Sequence, residues 1–228
     1  MIIFVRVKLF IKMGETCSIS CNDNYIQDMH RVLGAYPYDR YWVLDRCTDD
    51  SAQQLIALGE RFVCTPSSLQ GRQTSFARNL GLALCNPKHD VLFLDGDRYI
   101  ATGSLNGIEQ SKTDIALLMV EDDFRDTIDF VHSYGCVNNS FYSCGIFMKR
   151  KAIDAVLKFQ NGELFSTEMQ DVWGIEDTYL GDVCYHLGLT ASKYDGCRLR
   201  GGFERGKLNS YGLERRLRKR ESLNVLWE

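Results

Sequence analysis

Proline is scarce in this chain, at three residues in 228, and no stretch is low in complexity or internally repeated, which excludes long disordered or repetitive sections. No apolar run is long enough to cross a bilayer. Residues 1–13 come nearest, but Arg6, Lys8 and Lys12 interrupt them and no signal-peptide cleavage pattern follows. Nine cysteines are present, an odd number, without a single Cys-x-x-Cys pair, and a chain of this length needs no disulfides to stabilise its core. Most cysteines are therefore expected as small, reduced, buried hydrophobes in a cytoplasmic protein. Histidine is also rare: His30, His89, His132 and His186 fall in helix or loop contexts and read as structural.

The remaining composition, 45% hydrophobic and 25% charged, is that of an ordinary soluble globular domain, and the length predicts one domain over residues 1–228. Charge is unevenly placed. Between residues 196 and 220 there are nine Lys/Arg against two Glu, a local +7 that leaves −10 for the rest of a chain whose total is −3. A basic C-terminal segment, 196–228, thus follows an acidic body.

The stretch Asp90-Val91-Leu92-Phe93-Leu94-Asp95-Gly96-Asp97 runs four apolar residues into two carboxylates separated by glycine. Such a run fits a strand covered on both faces, and ligands in open α/β sheets bind outside the carboxyl ends of such strands. Asp95 and Asp97 are candidates for a divalent cation that bridges a diphosphate. The same strand-then-Asp pattern occurs at Tyr41-Trp42-Val43-Leu44-Asp45. Residues 17–21 read as a strand entering a helix with Ile26, Met29 and Leu33 at helical spacing, and residues 2–9 as a further strand at the sheet edge. Residues 62–64, 115–120 and 141–148 are further strands. Helices are expected after Gly71, where Phe76, Leu80, Ala83 and Leu84 line one face, over 149–160, and from Trp173-Gly174-Ile175-Glu176-Asp177 onward. Strands and helices alternating at these lengths predict an α/β fold with a Rossmann-like, mostly parallel central sheet flanked by helices.

In this order the pieces resemble family 2 glycosyltransferases of the GT-A fold. Val43-Leu44-Asp45 with Thr48-Asp49-Asp50-Ser51 is similar to their VD-x-x-S-T-D-x-S segment. Ala77-Arg78-Asn79-Leu80-Gly81 is similar to A-R-N-x-G, and Leu94-Asp95-Gly96-Asp97 to L-D-x-D. Trp173-Gly174-Ile175-Glu176-Asp177 with Leu180 resembles the W-G-x-E-D-x-x-L segment shared with galactosyltransferase-like enzymes. The resemblance covers about residues 16–189.

It implies a nucleotide-sugar donor, UDP- or GDP-linked, contacted by Ser20, Asn22, Asp45, Arg72, Arg78 and Asp95. Asp45 would take the base or ribose, and Arg78 would lie near the ribose-diphosphate. Mn²⁺ or Mg²⁺ would be held by Asp97 with Asp95, and Asp177 would be the general base with Glu176 toward the acceptor. The family's P-x-Y-N after the first strand is replaced here by Ile19-Ser20-Cys21-Asn22, without the aromatic that stacks on the base. No downstream histidine other than His186 could complete the metal shell, so Asp195 or water is expected there.

The implied activity is metal-dependent transfer of a hexosyl or pentosyl group to an acceptor hydroxyl, with inversion if Asp177 is the base. A sugar nucleotidylyltransferase would carry a Gly-rich, Arg-containing loop after the first strand, which residues 22–24 are not. A non-catalytic nucleotide-sugar-binding domain would have lost the carboxylates, which are present. For the acceptor, the basic segment suggests an anionic partner: a glycan, a lipid-linked molecule at a membrane the protein visits peripherally, or a hydroxyl on modified DNA.

Overall fold

A computed structural model describes residues 2–8, 25–47, 49–68, 73–96, 99–120, 145–169 and 175–200. Among the described residues eight strands form one sheet: β1 (Ile2–Lys8), β2 (Asp39–Asp45), β3 (Phe62–Cys64), β4 (Val91–Asp95), β5 (Tyr99–Gly103), β6 (Ile115–Val120), β7 (Gly145–Met148) and β8 (Ala191–Arg200), in the order β3-β2-β1-β4-β7-β6-β8-β5. The pairs β3–β2, β2–β1, β1–β4 and β6–β8 are parallel, whereas β7 runs against both of its neighbours and β5 against β8. Among the described residues five α-helices accompany the sheet: α1 (Tyr25–Gly34), α2 (Ser51–Ala57), α3 (Thr74–Leu84), α4 (Arg150–Phe159) and α5 (Ile175–His186).

Alternation along each strand sends side chains to two separate cores, one on each face of the sheet. Val43, Val91, Phe93, Ile115, Leu117 and Ile146 pack with Ala77 of α3, Ala152, Ile153 and Val156 of α4, and Leu180, Val183 and Cys184 of α5. Trp42, Leu44, Leu92, Leu94, Leu118 and Phe147 pack on the other face with Ile26, Met29 and Leu33 of α1 and Leu55 of α2. This is why the runs in β2 and β4 are continuously apolar: both faces are covered, and each fully buried large side chain there contributes about 1.5–3 kcal/mol. Burial also raises the thiols of Cys85, to about 12, and of Cys197, to about 11. Both behave as the inert hydrophobes expected of them.

One expectation needs correction. Residues 2–8 are not an edge strand: β1 lies between β2 and β4, in register with both. The apolar Ile2-Ile3-Phe4-Val5 suits that interior position, and Arg6 and Lys8 fall near its carboxyl end. With β1 in the first parallel position, residues 17–21, expected as the opening strand, fall in the interval between β1 and α1, outside the described residues. The basic segment also begins inside the sheet, since residues 196–200 belong to β8 and Cys197 and Leu199 are buried. Residues 201–228, including Gly201 and Gly202, lie outside the described residues.

Polar clamps fix the outer elements. The Asp114 carboxylate, before β6, accepts from the Thr190 amide (3.0 Å) and hydroxyl (2.8 Å) and pairs with Lys151 of α4 (2.6 Å). Burial alone would raise this carboxyl. The bonds from Lys151 and Thr190 outweigh it and hold it at about 2. Glu60, in the turn before β3, is buried between His30 of α1 (2.6 Å) and Arg40 of β2 (3.0 Å), and despite its burial it is held below the usual glutamate range by those partners.

Candidate functional site

The carboxyl ends of β1, β2 and β4 lie on one side of the sheet, with Lys8 opposite Asp45 and Arg6 opposite Asp95 in the parallel registers. Asp45 and Asp95 are thus two strands apart, roughly 10 Å across the sheet at about 4.8 Å per strand. Each carboxylate is oriented by a neighbour.

Asp45 is buried, at 2% exposure, and its Oδ1 accepts from the Thr65 hydroxyl (3.1 Å) and from Arg46 Nε (3.1 Å). Thr65 follows β3 and does double duty: its Oγ1 also accepts the amide of Arg46 (3.0 Å), and its own amide donates to the Leu44 carbonyl (2.9 Å). Arg46 takes a left-handed backbone (φ 55°), which turns the chain sharply after Asp45. The downstream Asp49 accepts from the Ser51 amide (3.0 Å) at the start of α2.

The second cluster centres on Arg78. Helix α3 runs beneath the sheet with Thr74, Ser75, Ala77, Arg78, Gly81 and Leu82 buried. From it the Arg78 guanidinium, at 2% residue exposure, reaches up between β4 and α5. One terminal nitrogen donates to Asp177 Oδ1 (3.0 Å), with Glu176 Oε1 at 3.7 Å; the other donates to Asp95 Oδ1 (3.1 Å). Burial opposes a charge here, but Asp177, Asp95 and Glu176 more than offset it and hold the arginine above its ordinary range. The guanidinium also lies 5.0 Å from the centroid of the Phe165 ring, which in turn meets Phe93 of β4 edge-on at 5.3 Å.

Asn79, the next residue of α3, holds the chain that carries Phe165. Its Nδ2 donates to the Phe165 carbonyl (2.7 Å), and its Oδ1 accepts the amides of Leu164 (3.2 Å) and Phe165 (3.0 Å). Glu176 and Asp177 occupy the first turn of α5, where the helix dipole favours carboxylates. Their burial, at 5% and 9%, distinguishes them from an exposed helix-start pair.

Of the residues singled out from the sequence, Arg78, Asp95, Glu176 and Asp177 come together, and Asp45 lies at the end of a strand on the same side of the sheet. Ser20, Asn22, Arg72 and Asp97 lie outside the described residues. Asp195 is largely exposed and pairs with Arg198 (3.4 Å), and His186, at the last turn of α5, meets the ring of Phe159. The sequence reading had no place for Thr65 or Phe165. Asn79 was visible inside Ala77-Arg78-Asn79-Leu80-Gly81 but carried no role.

Three carboxylates meet one guanidinium, and Asp95 keeps a quarter of its side chain exposed. An all-oxygen, anionic donor set suits Mn²⁺ or Mg²⁺. Among the described residues, no group of three or more side chains is gathered so as to hold a metal by itself, and Asp95 would need Asp97 or donor oxygens to complete a shell. No helix among the described residues is long and apolar enough to cross a membrane.

No protein-family model and no curated protein matches the sequence. Solved structures do match. Glucosyl-3-phosphoglycerate synthase from Mycobacterium tuberculosis, in complex with Mn²⁺, UDP-glucose and phosphoglyceric acid, aligns over 96% of this chain and 80% of its own at a TM-score of 0.60 and 14% identity. The same enzyme with Mg²⁺ and UDP aligns over 94% of this chain and 75% of its own, at a TM-score of 0.57 and 14% identity. The catalytic domain of Drosophila β1,4-galactosyltransferase 7, in complex with xylobiose, aligns over 89% of this chain and 71% of its own at a TM-score of 0.51 and 11% identity. The chain has the fold of these glycosyltransferases, the GT-A fold.

Proposed function

We propose that this chain is a divalent-metal-dependent glycosyltransferase, moving a sugar from a UDP- or GDP-linked donor to an acceptor hydroxyl with inversion at the anomeric carbon. The observation that carries this reading is the convergence of Asp95 and Asp177 on one buried guanidinium, at the carboxyl end of β4 in a GT-A fold. One neighbour of that fold, solved both with Mn²⁺ and UDP-glucose and with Mg²⁺ and UDP, supports it.

Asp45, aimed by Thr65, binds the base or ribose of the donor, and Ser20, Asn22 and Arg72 are its further contacts. Asp97 with Asp95 would hold Mn²⁺ or Mg²⁺, which neutralises charge on the departing diphosphate. Asp177 accepts the proton of the acceptor hydroxyl as that oxygen attacks the anomeric carbon. The bond to the diphosphate then breaks, and its electron pair leaves with the diphosphate. Glu176, in the same helical turn, is a partner for the acceptor. Residues 201–228 carry the remaining basic charge, which favours an anionic acceptor.

The test is Asp177→Asn, which keeps the shape and removes the proton acceptor. Turnover should fall about 10² to 10⁴-fold. Binding of UDP with Mn²⁺, measured by calorimetry, should persist and vanish on adding a chelator. Near wild-type turnover in this variant would refute the assignment of the base. The donor sugar is identified by screening nucleotide sugars with Mn²⁺ for thermal stabilisation, since a ligand selective for the native state raises its melting temperature.

A further inference from the structure

We infer that Arg78 is a positioning residue: its guanidinium fork sets the base, Asp177, at a fixed distance and angle from the donor-side carboxylate, Asp95. This rests on the reading of Asp177 and Asp95 proposed above. Asp95 ends a strand and Asp177 begins a helix, and 17 and 99 residues of chain separate them from Arg78. No hydrogen bond between the two carboxylates could substitute for the fork, because ionised carboxylates only accept. A planar group that donates from one terminal nitrogen to each spans them with its own rigid geometry, which a lysine ammonium, a point charge on a flexible stem, cannot reproduce.

The fork itself has little freedom. Phe165 lies against it, Phe93 abuts the Phe165 ring, and Asn79 ties the Leu164–Phe165 backbone to the turn of α3 that carries Arg78. At 2% exposure Arg78 meets bulk solvent hardly at all, so its charge acts on the three carboxylates around it. Like charges held this close would otherwise repel. The arginine therefore keeps Asp177 near Asp95 before any donor arrives, and the site is preorganised.

The experiment combines Arg78→Lys with a melting cycle. Arg78→Lys keeps the charge and loses the fork. It should fold and bind UDP with Mn²⁺ within about threefold of wild type by calorimetry, with kcat down roughly 10²-fold and donor KM little changed, as misplacing a catalytic group by about 1 Å does. Wild-type kcat in this variant would overturn the inference. A raised donor KM with kcat unchanged would overturn it too, by making Arg78 a donor ligand.

The cycle compares melting temperatures of Asp95→Asn, Asp177→Asn and the double variant without any ligand, with Arg78 intact. Groups sharing one partner are coupled, so the two shifts should fail to add by about 2 °C or more. Additive shifts would overturn the inference even where Arg78→Lys fails to fold. Wild-type protein that binds no nucleotide sugar with Mn²⁺ and turns none over would instead sink the glycosyltransferase reading, and the cycle would still decide whether Arg78 couples the two carboxylates.

Discussion

Replacing Asn79 with alanine tests whether the residue beside Arg78 holds the platform under it. The wild-type side chain makes three hydrogen bonds to the backbone of Leu164 and Phe165, and both of those residues are fully buried. Two amides facing one side-chain oxygen and a carbonyl facing the nitrogen fix the orientation of the amide group, so no flipped alternative serves all three. At about 1 kcal/mol per bond the loss approaches 3 kcal/mol, and the better helix propensity of alanine returns about 0.5. A net cost of about 2–3 kcal/mol, at roughly 2–4 °C per kcal/mol for a chain of this size, lowers the melting temperature by about 4–12 °C. Thermal melts followed by circular dichroism measure it, and calorimetry with UDP and Mn²⁺ follows the site. A drop below about 2 °C would mean that the Leu164–Phe165 turn stands without Asn79, and the account of the Phe165 platform would fail.

Asp114 gives a pH test. Its folded value, about 2, lies below that of the unfolded chain, so its stabilisation is complete above the ordinary aspartate range and is lost as pH falls toward 2. Lys151 is largely exposed, so screening reduces the contribution to about 1–2 kcal/mol; urea midpoints of wild type and Asp114→Asn should converge as pH falls from about 5 to about 2, and a constant gap would contradict the linkage. Gly103→Ala should cost about 2–4 kcal/mol, because Gly103 is left-handed (φ 77°) and a Cβ there would overlap the Gly196 carbonyl and stand 2.7 Å from Cys197 Cα. An unchanged urea midpoint for that variant would contradict the close approach of β5 to β8.

The parts of the fold legible in the sequence were those where one local rule settled the outcome. Val91-Leu92-Phe93-Leu94 fits a strand covered on both sides, and Ile153, Val156 and Leu157 marked the face of α4 at helical spacing. Position in the sheet is not local. Ile2–Lys8 reads as a strand at the sheet edge, yet its place between β2 and β4 depends on those partners, which lie tens of residues away. β8 was hidden for the opposite reason: Ala191–Arg200 is mostly polar, with Cys197 and Leu199 buried, and the sheet recruits it through pairing with β6 and β5. In the site, carboxylates at strand and helix ends were visible as such. What joins them was not, because Arg78, Asp95 and Asp177 meet only through the packing of α3, β4 and α5. Thr65 and Phe165 carry no sequence signal at all; only their contacts give them roles.

The two ends of the strand order bear on how this molecule behaves among its own copies. A long, straight border strand offers unpaired amides and carbonyls on which another chain can add. β3 is three residues long, and the ion pair between Arg61 and Asp39 (2.6 Å) places charge beside its start. β5, at the opposite border, loses register between Ile100 and Thr102 and ends at left-handed Gly103. A partner strand approaching either border meets too few consecutive hydrogen-bonding groups to hold a ladder. The described part of the sheet thus offers a poor template for edge-to-edge self-association at those two borders.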